Sequence, residues 1–308
     1  MGRKRRGIPI HGWLIIDKPL GLTSNQVVGR VRRLTNAAKV GHGGTLDPLA
    51  SGILPLALGE ATKTVSYVMD GTKVYHFTVR WGIERSTDDA EGEIIATEDK
   101  RPTKDEIHQA LKQFIGTIDQ VPPKYSAVKI DGQRAYALAR ADQEVTLQSR
   151  QIRVDRFELL EMVDDDHATF EVESGKGAYM RSLGRDLARA MGTVGHISEL
   201  RRISVGGFSE KDAISLDKLE ELGHSAALED YLLAVETALD DIPALALTEA
   251  EARRLRNGQP VSLLAVARRS PQNAVPQGAT VCAMEDGKPV ALARVEGGEV
   301  RPVRVLNL

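Results

Sequence analysis

The sequence predicts a large α/β domain to about residue 243, followed by a small, mostly β domain. Three observations lead there. Capped helical stripes alternate with short apolar or alternating strands over most of the chain. Asp241-Ile242-Pro243-Ala244 then reads as a linker. Beyond it, one short helix gives way to strand patterns, two of them joined as a hairpin at Gly297-Gly298. At 308 residues there is room for one large and one small domain.

Taken in order, residues 1–7 are basic and expected to be a disordered arm. Trp13–Ile16 is an apolar strand running into the turn Asp17-Lys18-Pro19-Leu20-Gly21. Thr23 begins a helix, with Gln26 completing a capping box and Val27, Val31 and Leu34 on one face. A glycine-rich loop at 41–52 precedes a buried strand at 53–58. Tyr75, Phe77, Val79 and Trp81 alternate with His76, Thr78 and Arg80, the pattern of a half-buried strand. Thr103 and Glu106 cap a helix whose stripe is Ile107, Leu111, Phe114 and Ile115, stopping at Gly116. Residues 124–152 are polar, carry the turn Asp131-Gly132, and suggest a surface insertion. Strands at about 152–162 and 168–173 precede a helix from Tyr179 to Met191 that closes at Gly192. Two weaker helical patterns fill 215–240, and Thr248 with Glu251 caps a short helix ending at Gly258.

Composition narrows the function classes. Hydrophobic content of 42% and charged content of 27% are those of an ordinary soluble globular protein. The single cysteine, Cys282, excludes an intramolecular disulfide and a cysteine-rich metal cage. No signal-peptide-like segment follows the basic start, and no run approaches the ~20 apolar residues of a membrane span. The expected location is cytoplasmic. Net charge is −2, which argues mildly against a nucleic-acid partner, but distribution matters more than the sum, and a single charged cluster is ordinarily a solvated face. Basic clusters at residues 3–6, Arg30/Arg32/Arg33, Arg150/Arg153/Arg156, Arg201/Arg202 and Arg253/Arg254/Arg256 would track phosphates if several met on one face.

The stretch Gly41–Gly52, GHGGTLDPLASG, holds a single carboxylate, Asp47, among residues that permit special backbone angles. Pro48 disfavours an α conformation at Asp47. An acid so placed, next to an apolar run, reads either as a reactive group held beside the core or as a plain turn.

GHGGTLDPLASGILPLALGEATK resembles the catalytic motif of the TruB family of bacterial tRNA pseudouridine-55 synthases. LIIDKPLGLTS at 14–24, Lys73-Val74-Tyr75, SGKGAYMRSLGRDLA at 174–188 and LRR at 200–202 also match, in the family's order, over about the first 210 residues. The resemblance implies an α+β fold: a mixed, largely antiparallel central sheet with flanking helices, the pseudouridine synthase fold. It also implies domains at 8–243, with the insertion at about 124–152, and at 244–308, the latter a PUA-like RNA-binding barrel.

The implied reaction detaches uracil at N1 and reattaches it through C5, with no cofactor and no metal. Asp47 matches the catalytic aspartate, as nucleophile at C1′, adduct former at C6, or base toward a ribose proton. Arg181 matches the partner that keeps it ionised and aimed, and Tyr75 the aromatic that stacks on the target base. Tyr179 and Leu200 match the uracil pocket. Lys18 falls where it either supports the loop or touches substrate. His42 matches the flat side chain that fills the stack when a base is flipped out. Gly43 departs from the Thr or Ala common in relatives, which bears on loop geometry rather than on the reaction. Lys63 and Arg202 match RNA-binding positions. The implied partner is the T-arm of tRNA, recognised by shape and phosphate contacts, with no guide RNA and no membrane. A monomer is the expected state.

Two other classes compete. A glycoside hydrolase needs a second carboxylate, and the sequence shows no other acid in a comparably constrained glycine-rich loop. An RNA-binding protein with a vestigial loop would not need Asp47, Tyr75 and Arg181 together.

Overall fold

The computed structural model describes residues 7–126, 128–130, 133–134, 147–223, 226–270 and 275–308. The basic arm, save Gly7, and the Asp131-Gly132 turn lie outside these residues.

Strand β1 (Gly12–Lys18) is buried along nearly its whole length and leads to helix α1 (Ser24–Thr35). The Thr23–Gln26 capping box forms as expected, and Asn36 ends the helix in the left-handed region. Next come β2 (Val40–His42), β3 (Ala50–Leu58), the short helix α2 (Val65–Asp70) and β4 (Lys73–Trp81). A hairpin of β5 (Ile83–Arg85) and β6 (Ile94–Thr97) precedes helix α3 (Lys104–Leu111), capped by Thr103 and Glu106. That helix is shorter than its stripe predicts. Gly116, at φ +98°, starts strand β7 (Gly116–Gln120) and leaves Ile115 exposed. Two-residue strands β8 (Lys129–Ile130) and β9 (Gln133–Arg134) fall within the insertion. Then follow β10 (Arg150–Met162), β11 (His167–Ser174), helix α4 (Met180–Ala190) and β12 (Gly195–Val205). Shorter pieces are β13 (Phe208–Ser209), β14 (Ala213–Ser215), helix α5 (Leu216–Leu222) and β15 (Leu232–Leu233).

Among the described residues these strands build an 11-stranded sheet with the path β14-β1-β3-β12-β4-β11-β10-β7. Most pairings are antiparallel, while β12 with β3 and β14 with β1 run parallel. The mixed, largely antiparallel sheet with flanking helices is as expected. The strand β12 at its centre was not predicted.

One apolar cluster joins Phe77, Val79, Trp81 and Phe170 to α3 and α4. A second joins Leu14, Ile16, Leu54 and Leu56 to α1 and α5. Tyr75 and Leu200 pack against both.

Residues 244–305 form a separate five-stranded sheet. It contains β16 (Ala244–Ala246), β17 (Val261–Ser262), β18 (Thr280–Glu285), β19 (Lys288–Glu296) and β20 (Glu299–Val305), in the order β16-β18-β19-β20-β17. Helices α6 (Glu249–Arg256) and α7 (Leu263–Ala267) pack with it. The Thr248–Glu251 capping box and the Gly297-Gly298 turn both form. This sheet is stitched to the larger one by the chain's end. Leu306 is buried in a cluster with Trp13, Ile53, Val68 and Phe208. Beside it the Asn307 amide donates to Glu60 Oε2 at 2.7 Å, and Lys63 Nζ donates to the Val305 carbonyl at 2.7 Å.

Leu306→Ala should therefore lower unfolding free energy by about 2–5 kcal/mol, the usual range for emptying a packed leucine site. Leu308→Ala, two residues on and exposed, should stay within about 0.5 kcal/mol. Denaturant midpoints of the two variants check this.

Candidate active site

Part of the glycine-rich stretch is strand. Gly41 and His42 lie in β2, Ala50–Gly52 begin β3, and residues 43–49 form the connecting loop. That loop is pinned along its length. Gly43 N donates to Pro55 O at 2.8 Å, Leu46 N to Ser24 Oγ at 2.8 Å, and Gly21 N to Pro48 O at 2.8 Å. Leu46 is sunk in the core cluster with Val27 and Val31, so the next side chain, Asp47, is presented from an anchored backbone. Gly52 has φ +97°, and a Cβ there would lie 2.2 Å from the Arg202 carbonyl oxygen; only glycine lets β3 pass β12 at this point. A Cβ on Gly43 would press on Val68 Cγ1 at 2.9 Å, a buried branched side chain, and lie 3.4 Å from Pro55 and Trp13, so the extra side chain common in relatives has little room here.

Lys18 lies beneath the loop with no exposed surface. Its ammonium donates to Pro19 O at 2.8 Å, Leu22 O at 2.7 Å and Pro48 O at 3.4 Å. Of the two roles left open, loop support fits this geometry. Burial lowers its pKa to about 8, with the Asp47 charge pulling the other way.

Arg181, on the first turn of α4, is 6% exposed, not a surface arginine. Its Nη2 meets Asp47 Oδ2 at 2.8 Å and its Nη1 meets Asp89 Oδ2 at 3.3 Å. It also donates to the carbonyls of Thr87 and Tyr125. Asp47, Leu49, Ala50, Asp89, Arg181, Ile197, Ser198 and Leu200 line one cleft. Sequence reasoning missed Asp89, which lies in the acidic run Asp88-Asp89-Ala90-Glu91. Asp88 in fact adopts φ +60° and is buried against Arg185 at 2.9 Å. Burial pushes its carboxyl pKa up while Arg185 opposes the shift. Its carbonyl accepts from Ile197 N, so the turn is fastened to β12 and Asp89 faces Arg181. No signal along the chain marks this contact.

The remaining predicted residues divide. Tyr75 and Leu200 are half-buried between the two core clusters, Tyr75 on β4 and Leu200 on β12. Tyr179 precedes α4, its backbone held at both N–H and C=O by the Gln120 side chain, with the Arg150 guanidinium 4.9 Å from its ring centroid. His42 is half-buried, and its Nδ1 has no hydrogen-bond partner among the described residues. Burial and then the Arg202 charge lower its pKa, leaving a flat neutral ring.

Lys63 and Arg202 differ from expectation. Lys63 is engaged by Glu60 at 2.6 Å and by the chain terminus, at the junction of the two sheets. Arg202 is 1% exposed and spends its donors on carbonyls of the loop and of Ile53, so it offers no surface to a phosphate. Arg201 beside it is bound to Asp17 and Glu210, and Arg156 to Glu158 and Glu171. Acidic neighbours thus occupy part of the basic surface the clusters suggested. Among the described residues no group of three or more His, Cys, Asp or Glu is placed to hold a metal, and no helix is long and apolar enough to cross a membrane.

The model of the TruB family pseudouridylate synthase N-terminal domain matches residues 32–180, and that of the tRNA pseudouridylate synthase B C-terminal domain matches 181–240. The chain belongs to the TruB family. TruB relatives match along its whole length. The tRNA pseudouridine synthase B of Rhodospirillum rubrum is 61% identical over 308 residues, covering 100% of both chains. That of Gluconacetobacter diazotrophicus is 56% identical over 99% of this chain and 100% of its own. Among solved structures, one of a Cbf5-Nop10-Gar1 complex superposes with TM-score 0.75 at 27% identity, over 96% of this chain and 85% of that one. An H/ACA RNP bound to a substrate RNA shares the fold, with TM-score 0.74 at 24% identity, over 100% of this chain and 92% of that one.

Lys18 sets a pH signature for this TruB site. Its folded pKa of about 8 lies below the ordinary lysine value of 10.5. Between those values the unfolded chain holds the proton that the folded chain has lost, so Lys18 makes stability rise with pH there. Lys18→Met should remove that contribution, leaving those of the similarly shifted Lys73 and of Cys282, whose thiol is pushed by burial up to about 12 and which acts in the opposite sense. Urea unfolding of both proteins from about pH 7 to about pH 10.5 measures the difference.

Proposed function

We propose that this chain isomerises a uridine in the T-arm of tRNA to pseudouridine, with Asp47 as the catalytic carboxylate. The observation that carries the reading is the Asp47–Arg181 pair at 2.8 Å, in a cleft otherwise lined mainly by apolar side chains. Family membership and the full-length relatives named tRNA pseudouridine synthase B support the reaction and the substrate.

The pair suits the chemistry. The N1–C1′ bond must break, the uracil must turn within the site, and C5 must bond to C1′ while its proton departs. Arg181 fixes the carboxylate and, through Asp89 and the Thr87 and Tyr125 carbonyls, is itself fixed. Preorganised charge of this kind needs no rearrangement when the reaction occurs. Leu200 and Tyr179 are proposed to confine the base and Tyr75 to stack on it. His42, neutral and flat, is proposed to fill the space the flipped nucleotide leaves. Lys63 is proposed to help hold the sheet junction against RNA rather than to grip phosphate alone.

We divide the chain into a basic arm at 1–7, a catalytic domain at 8–243 and a PUA-like RNA-binding domain at 244–308. The five-stranded sheet of residues 244–305 supports the last of these. The polar insertion at about 124–152 fits an enzyme that grips tRNA itself, as a cytoplasmic monomer without guide RNA.

Asp89 beside Asp47 supplies the second carboxylate a glycosidase would use. The products separate the two reactions. An unmodified tRNA transcript should yield pseudouridine at one T-loop position and no free uracil. Asp47→Asn should abolish product while leaving the tRNA Kd within about threefold, as expected if affinity comes mainly from backbone contacts. Turnover by the variant would remove Asp47 from the mechanism.

A further inference from the structure

Arg202 is the unexpected group in this site. Its guanidinium is fully buried and faces no carboxylate among the described residues. Burial drives its pKa below the usual arginine value, with only the Tyr75 phenol opposing. A buried cation without a counter-ion is unfavourable unless dipoles replace the lost water. An apolar side chain of similar length would fill the volume without that penalty, so packing alone does not account for an arginine here.

Its acceptors do. Nε donates to Ile53 O at 2.7 Å, immediately after the loop rejoins the sheet. Nη2 and Nη1 reach Gly44 O at 3.2 Å and Thr45 O at 3.4 Å, just before Asp47. Among the described residues Tyr75, the residue opposite Arg202 on β4, carries the one side chain that favours the charged guanidinium. Only a planar fork with several donors spans such a set. Main-chain pairing aims it. Arg202 pairs with Gly52 on β3 and with Tyr75 on β4, so it stands between the strand that leaves the Asp47 loop and the strand that carries the aromatic ring. Gly44 has φ +131°, and a Cβ there would lie 3.5 Å from Arg202 Nη1, so the loop backbone passes directly over the guanidinium.

We propose that Arg202 is a positioning residue of the isomerase. Its buried guanidinium ties the entry and exit of the Asp47 loop to the strand position paired with Tyr75, setting carboxylate and ring relative to each other before RNA binds. This rests on the roles proposed above for Asp47 and Tyr75. It replaces a phosphate contact for Arg202 with an internal one, and the two assign the residue to different steps.

The test uses the full-length protein and a tRNA transcript carrying tritium at uridine C5, whose release follows product. Single-turnover rate at saturating enzyme and tRNA Kd are measured for wild type, Arg202→Met, Arg202→Lys, Tyr75→Phe and the Arg202→Met/Tyr75→Phe double variant. Arg202→Met should lower the rate about 100-fold, the scale of a small misplacement of reacting groups, with Kd within about threefold. Arg202→Lys, which keeps the charge but not the fork, should recover part of the rate. Tyr75→Phe should cost less in the Arg202→Met background than in wild type, because both residues act on the placement of one ring against one carboxylate. An unchanged rate, or fully additive effects, overturns the proposal. So does a weakened Kd with a shallower salt dependence and an intact rate at saturation, the mark of a phosphate contact. If Arg202→Met does not fold, the same readings on Arg202→Lys decide, alone and with Tyr75→Phe. Turnover by Asp47→Asn would instead remove the underlying reading, and it is scored separately.

Discussion

The short parallel contact between β12 and β3 is the constraint on which the site depends. Leu200, Arg201 and Arg202 lie beside Ala50, Ser51 and Gly52, and the same strand runs antiparallel to β4 on its other side. One strand therefore joins the half of the sheet that carries the Asp47 loop to the half that carries Tyr75. The backbones come close enough at Gly52 that no side chain fits there. Leu200 reaches the cleft, and Tyr75 and Leu200 reach both apolar cores, because of where this strand lies.

Charge is organised around the same strand. Lys18, Lys73 and Arg202 are buried and bonded largely to carbonyls; burial lowers the pKa of each, and the Arg202 charge lowers those of the two lysines further. Carbonyl dipoles belong to particular backbone segments, so each buried cation holds a turn in one shape. Arg181 differs, because its charge is divided between Asp47 and Asp89. The result is a carboxylate flanked by a rigid cationic group and supported from beneath by others. The fold accepts the desolvation of these charges in exchange for a loop with little freedom.

Local chemistry made much of this legible. The capping boxes at Thr23, Thr103 and Thr248 form where Ser/Thr-x-x-Glu/Gln patterns place them. The alternation from Tyr75 to Trp81 is a strand with its apolar face inward. Motif resemblance led to Asp47 and Arg181, and the fold brings them into contact. Strand β12 escaped because its pattern is broken twice, by irregular pairing between Ile197 and Glu199 and between Arg202 and Ser204. It also buries His196 and Arg202, residue types whose presence ordinarily signals a surface. The stripe through Ile115 overran its helix because Gly116 adopts a left-handed angle at the first residue of β7.

The sequence by itself determined where the capped helices begin, which constrained loop holds the acid Asp47 and which family the chain resembles. Those properties follow from neighbours within a few residues, through caps, periodicity and glycine or proline angles. Only the tertiary structure decided that Asp89 shares Arg181 with Asp47 and that Lys63 secures the chain's end. It also turned Arg202 inward. Each of these depends on a partner far away in the chain, brought close by strand order. An arginine reads alike along the chain whether it will meet water, a carboxylate or a carbonyl. Burial and the acceptors that the fold supplies distinguish them.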